Sequence, residues 1–273
     1  MKLLISFLIV ISSCLLGQAQ TVDTIAVYSP SMNKEIKSVV ILPEGYNKGK
    51  DYPVLYLLHG YGGNHRKWLE IKPELPEISS MYDMIVVCPD GATAWYWDSP
   101  VDTSLRYETF VSSELVKDID SRYRTISDKS GRAITGYSMG GEGALWLAFR
   151  HPEVFGACGS TSGGVDIRPF PDNWDIKKSL GEYSDNPENW ESHTIASLLP
   201  YVKSGMPIII DCGTSDFFYP VNERLHEEML YRNIRHEYIT RPGIHDEPYW
   251  SISIEPQMLF FSNFFKGKPI YPQ

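Results

Sequence analysis

Cysteine is scarce in this chain of 273 residues: there are 4, namely Cys14, Cys88, Cys158 and Cys212. No two stand at the short spacing that marks a zinc or redox pair. Cys14 falls in the leader described below. The odd three that remain lie in or beside apolar runs, so they read as buried free thiols rather than a disulfide framework. The 7 histidines are scattered and supply no metal-ligand spacing either. Positive charge is also short, with 25 Lys and Arg against 34 Asp and Glu, a net −9. An acidic surface of that kind disfavours nucleic acid and anionic membranes as partners. Internal repeats, low-complexity tracts and linker-like stretches are absent. What remains, 42% hydrophobic residues over this length, suits one large α/β domain with a sizeable core.

The one long apolar run is at the start, where Lys2 precedes "LLISFLIVI" and Gly17-Gln18-Ala19 follows. Small residues at the two positions read by a signal peptidase make residues 1–19 a secretory signal, too short to be a retained spanning helix. A competing reading takes "ISSC" as a lipoprotein signal anchored at Cys14, but the residues after it stay apolar and a better cleavage site follows. The expectation is a secreted or periplasmic protein. Losing Lys2 with the leader takes the net charge to −10.

Beyond the leader, "TIAVYSP" and "EIKSVVILPEGY" alternate about a turn at Met32-Asn33, which predicts an antiparallel hairpin. The pattern then changes to short runs separated by helical segments: "PVLYLLHG", "MIVVCPDG", "RAITGYS", "FGACGSTSG", "PIIIDCG" and "HEYITRPG". Runs apolar on both faces and interleaved with helices predict a mostly parallel sheet covered on both sides, an α/β fold. Helices are expected over roughly 108–122, 139–150, 220–232 and 249–265, the second ending where Pro152 forces His151 out of helical geometry. The Pro-, Asn-, Asp- and Trp-rich stretch at about 165–200 reads as an insertion over the sheet's carboxyl edge, within a single domain spanning 20–273.

The string "TGYSMGG" puts Ser138 between a strand and a helix, with Gly136 and Gly140 two residues to either side. A turn that tight needs tiny residues at those positions and lifts the serine above the helix N-terminus, where dipole and free N–H groups favour developing negative charge. A serine hydroxyl needs a base to take its proton. His245, in "RPGIHDEPYW", follows the last strand on a loop at the same edge; His59, His65, His151, His193, His226 and His236 are placed less well by order or position. An acid should follow "PIIID", and both Asp211 and Asp216 are available; Asp216 is favoured because it lies past the turn at Gly213. Two amides would complete an oxyanion hole: that of Met139, after the nucleophile, and that of Tyr61 in the glycine-rich "HGYGGN". Glycines alone would also make a plain turn there.

Taken in order, "LLHGYGGN…W", "CPDG…WYWDSP", "GYSMGGEGAL", "DCGTSD" and "PGIHDEPYW" resemble the putative-esterase family over roughly residues 25–265. That family contains feruloyl and acetyl-xylan esterases, tributyrin esterases and S-formylglutathione hydrolase. The resemblance implies an α/β-hydrolase fold and assigns nucleophile, acid and base to Ser138, Asp216 and His245. It departs at Ile244, where the family commonly has glycine. It also places Trp95, Tyr96 and Trp97 in an aromatic loop near the acyl site, either as substrate contacts or as packing against the insertion. The activity implied is a carboxylesterase acting on a small-molecule or oligosaccharide ester, such as acylated plant glycans, with no cofactor. An acyltransferase using the same groups, a small-acyl esterase, and an inactive glycan-binding scaffold are the alternatives.

Overall fold

The computed structural model describes residues 21–46 and 49–271; the expected signal and the Cys14 alternative lie outside the described residues. Eight strands form one sheet: β1 (Thr21–Ser29), β2 (Lys34–Leu42), β3 (Val54–Leu58), β4 (Ile85–Pro89), β5 (Arg132–Gly136), β6 (Ala157–Thr161), β7 (Ile208–Gly213) and β8 (Glu237–Arg241). Their order is β1-β2-β4-β3-β5-β6-β7-β8. The expected hairpin is β1 with β2, and β2 also runs antiparallel to β4; every pairing from β4 to β8 is parallel. Strands β3 to β7 are buried along their whole length, as continuous apolar runs require. β8 departs from that expectation and is only half-buried, because it is the last strand and has a neighbour on one side alone.

Ten α-helices accompany the sheet among the described residues: α1 (Lys67–Ile71), α2 (Leu75–Tyr82), α3 (Tyr107–Thr109), α4 (Val116–Arg122), α5 (Met139–Arg150), α6 (Ile176–Leu180), α7 (Pro187–Ser192), α8 (Ile195–Leu198), α9 (Tyr219–Tyr231) and α10 (Glu247–Phe265). The helix expected at 108–122 is present but changes gear: α3 and α4 are joined by a π-helical segment, Phe110–Leu115. From that segment Glu114 accepts hydrogen bonds from Ser29 Oγ and Ser31 N at the hairpin turn. α1 and α2 were not anticipated from the sequence; each is short, and α2 begins with a leucine and a proline that read equally well as loop.

Core residues fall on both sides of the sheet. One cluster gathers Tyr56, Phe110, Ile134, Leu145, Phe155 and Trp190, and the other Leu55, Trp68, Tyr137, Ile209, Met258 and Phe261. Alternate residues of β3 thus serve opposite faces, as strand geometry demands. Cys88, Cys158 and Cys212 are buried free thiols, and burial pushes each thiol pKa up. No helix among the described residues is long and apolar enough to cross a membrane.

Candidate active site

Parallel strands all deliver their following loops to one edge, so the segments after β3, β5, β7 and β8 meet there. Ser138 follows β5 and caps α5 at φ 56° and ψ −121°, a left-handed φ that a non-glycine residue rarely adopts. Its N–H donates to Thr161 O at 2.9 Å, which locks the turn onto β6. The flanking glycines are sterically required. A Cβ on Gly136 would lie 2.6 Å from Gly140 O, and one on Gly140 would lie 2.5 Å from Leu58 O.

His245 follows β8 and faces the serine: its Nε2 is 2.9 Å from Ser138 Oγ. Its Nδ1 is 2.8 Å from Asp216 Oδ2. A carboxylate can only accept, so Nδ1 carries the proton and Nε2 is left free to accept from the serine hydroxyl. Asp216 is buried, and its Oδ1 accepts from Phe218 N at 2.8 Å. The acid and histidine loops are stitched together by backbone bonds, Thr214 N to Arg241 O at 3.0 Å and Ser215 N to Gly243 O at 2.9 Å. Asp211, the other carboxylate considered from the sequence, bonds to Tyr249 and Ser253 instead.

The "HGYGGN" loop after β3 is clamped from within. His59 is buried; its Nδ1 donates to Gly60 O and its Nε2 accepts from Gly91 N, both at 2.8 Å. The Tyr96 hydroxyl accepts from His59 N and donates to His59 O, both at 3.1 Å. Among the described residues, neither Tyr61 N–H nor Met139 N–H has a hydrogen-bond acceptor. Both donors are therefore unpaired.

Trp95, Tyr96 and Trp97, offered by the sequence as substrate contacts, are 1%, 0% and 0% exposed. Their rings fill the space between α5 and the 165–200 insertion. Trp97 Nε1 donates to Glu142, Trp95 Nε1 to Trp174 O, and a Cβ on Gly143 would lie 2.5 Å from the Tyr96 ring. They support the site from behind. The aromatic groups that do reach its mouth were not singled out. Phe217, next to Asp216, is 47% exposed, lies 4.3 Å from the His245 ring and stacks on Trp174 of the insertion at 5.6 Å and 18°. Tyr61 is also partly exposed, and its hydroxyl donates to Asp175 Oδ2 at 2.9 Å. Ile244, the departure from the family pattern, is exposed beside His245. The doublet Phe217-Phe218 directly after the acid was the signal available in the sequence. A cavity of about 740 Å3 lined by Lys203, Met206, Arg235, Phe264 and Tyr271 touches none of these residues.

A parallel sheet flanked by helices, carrying a serine on a strained strand-to-helix turn, defines the α/β-hydrolase class. Within that class the chain belongs to the family described as "Putative esterase", whose model matches residues 29–261. An esterase of Mycobacterium tuberculosis is 35% identical over 134 residues, 47% of this chain and 29% of that protein. An endo-1,4-beta-xylanase/feruloyl esterase of Xylanibacter ruminicola is 35% identical over 157 residues, 53% of this chain and 22% of that protein. The chain thus spans less than a third of the length of these two relatives. A ferulic acid esterase of known structure superposes with a TM-score of 0.79 at 26% identity, covering 91% of this chain and 99% of the other.

Proposed function

We propose that this chain is a serine carboxylesterase with Ser138 as nucleophile, His245 as general base and Asp216 as the orienting acid. The observation that carries the reading is one imidazole held between Asp216 at 2.8 Å and Ser138 Oγ at 2.9 Å. In the reaction, Nε2 takes the hydroxyl proton as Oγ attacks the ester carbonyl. The carbonyl oxygen becomes an anion received by the N–H groups of Tyr61 and Met139. His245 then returns its proton to the departing alcohol, leaving the acyl group on Ser138. A water molecule, deprotonated by His245, attacks the acyl-enzyme; the bond from the acyl carbon to Ser138 Oγ breaks, His245 returns the proton to Oγ, and the acid leaves. Asp216 stabilises the imidazolium without accepting its proton. The chemistry as written uses side chains, two amides and water.

The substrate we propose is a feruloyl or acetyl ester on a plant glycan or its oligosaccharides, met outside the cytoplasm after export directed by residues 1–19. Phe217, beside His245, and Trp174 stacked on it support it, since their rings offer an apolar surface to an aromatic acyl group or a sugar face. So do the feruloyl esterases among the similar proteins. The test is a panel of p-nitrophenyl acyl esters beside methyl ferulate and acetylated xylan, scored by kcat/KM. Saturable hydrolysis of methyl ferulate or acetylated xylan supports the reading. Turnover confined to short p-nitrophenyl esters contradicts the glycan-ester assignment.

A further inference from the structure

Asp211 is the one buried carboxylate on β7 that the proposed chemistry does not use, and its partners lie on both sides of the His245 loop. That loop runs from residue 242 to 246, between the end of β8 at Arg241 and the start of α10 at Glu247. Asp211 is 0% exposed. Its Oδ1 accepts from Tyr249 Oη at 2.5 Å and Ser253 Oγ at 2.8 Å, both in the first turns of α10. Its Oδ2 lies 2.8 Å from Arg241 Nη2, at ion-pair distance but off the angle of a hydrogen bond. The Arg241 guanidinium also sits 5.8 Å over the Tyr249 ring. The space inside leaves little room for a second arrangement: a Cβ on Gly243 would lie 2.1 Å from the Tyr249 ring. On the main chain, Asp211 O accepts from Ser162 N at 2.7 Å, one residue beyond the Thr161 carbonyl that holds Ser138 N.

We infer that Asp211 is a positioning residue: by holding Arg241 and Tyr249 at the two ends of one short loop, it fixes where His245 stands relative to Ser138. It touches none of the three reacting side chains and acts through the loop ends. Because effective proton transfer demands close placement, a displacement of about 1 Å can cost on the order of a hundredfold in rate. The inference rests on the Ser138–His245–Asp216 reading.

The test uses Asp211→Asn, which keeps the oxygen facing Tyr249 and Ser253 but removes the charge facing Arg241, and Tyr249→Phe, which removes one hydroxyl. Two quantities are read: kcat and KM on p-nitrophenyl acetate, and the rate at which a fluorophosphonate labels Ser138. Both rates are normalised to titrated active sites, so unfolded protein lowers the titre and not the rate. The expected result is kcat per site about 10-fold lower in Asp211→Asn and about 3-fold lower in Tyr249→Phe. KM should hold within about twofold, with labelling slowed in parallel. Arg241→Lys should retain more activity per site than Arg241→Gln. Losses explained wholly by a reduced titre, or full rates per site in both variants, overturn the inference. If Asp211→Asn does not fold, Tyr249→Phe and the Arg241 pair decide it. Hydrolysis surviving in Ser138→Ala would overturn the underlying triad instead; activity abolished there with full rates in the Asp211 and Tyr249 variants would overturn the clamp alone.

Discussion

Replacing Tyr96 by phenylalanine removes one oxygen atom and should weaken both the fold and the chemistry. The hydroxyl accepts from His59 N and donates to His59 O in a buried environment. Without it a buried donor and a buried acceptor lose their partner, at about 1–3 kcal/mol for each group. The ring remains packed against Gly91 and Gly143, so the packing contribution is preserved. A total of about 2–6 kcal/mol corresponds to a fall of about 4–12 °C in Tm for a chain of this size. The groups freed flank His59, one peptide before the Gly60–Tyr61 unit whose N–H is the proposed oxyanion donor. Complete loss of such a donor costs about 10²–10³ in turnover, so partial displacement should lower kcat by about 10-fold. Calorimetry and steady-state hydrolysis of p-nitrophenyl acetate read both effects. A Tm within about 1 °C of the parent, with unchanged kcat, would refute the claim that this hydroxyl holds the loop.

Three further outcomes are expected. Asp216→Asn should fold normally yet lose about 10⁴ in kcat, because the imidazole adopts the wrong tautomer; a loss below about tenfold on the same assay contradicts the orienting role. Burial raises the Glu108 carboxyl pKa, but hydrogen bonds from His151, Arg150 and Trp146 outweigh it and hold the pKa at about 2, below its ordinary 4.5. A depressed carboxylate stabilises the fold above the unfolded value, so about 3 kcal/mol should be present above pH 4.5 and fade as pH falls through about 2. Urea midpoints across that range should show this dependence in the parent and a flatter one in Glu108→Gln; parallel curves would contradict it. Phe217→Ala should lower kcat/KM for methyl ferulate at least about fivefold more than for p-nitrophenyl acetate, and an equal effect on both would count against ring stacking.

The fold was legible where the chain's pattern is dictated by burial alone. β3 to β7 announce themselves as unbroken apolar runs because both of their faces are covered. α5 was placed by the helix-forming run that follows Ser138 and by Pro152 just beyond its end. The π-helical turn within 107–122 was not legible from local pattern, and neither was the bond by which its Glu114 meets a hairpin remote in sequence. In the candidate site, chain order was enough to bring Ser138, Asp216 and His245 forward. It could not separate rings that face solvent from rings that face α5. Trp95 and Tyr96 adopt left-handed φ values of 58° and 60°, and the loop that carries them is packed inward against Gly91, Gly143 and Gly164. Trp174 reaches Phe217 because it too stands at a left-handed φ, of 50°, which no propensity for tryptophan suggests.

The claim on which the rest depends is that Ser138 is the atom source for the acyl-enzyme. The most direct measurement is to react the folded protein with a fluorophosphonate, digest it, and locate the added mass by tandem mass spectrometry. The account predicts a single adduct on Ser138, formed in step with loss of ester hydrolysis and absent from His245→Ala over the same interval. Complete labelling of another residue, or hydrolysis that continues undiminished once Ser138 is fully modified, would contradict it.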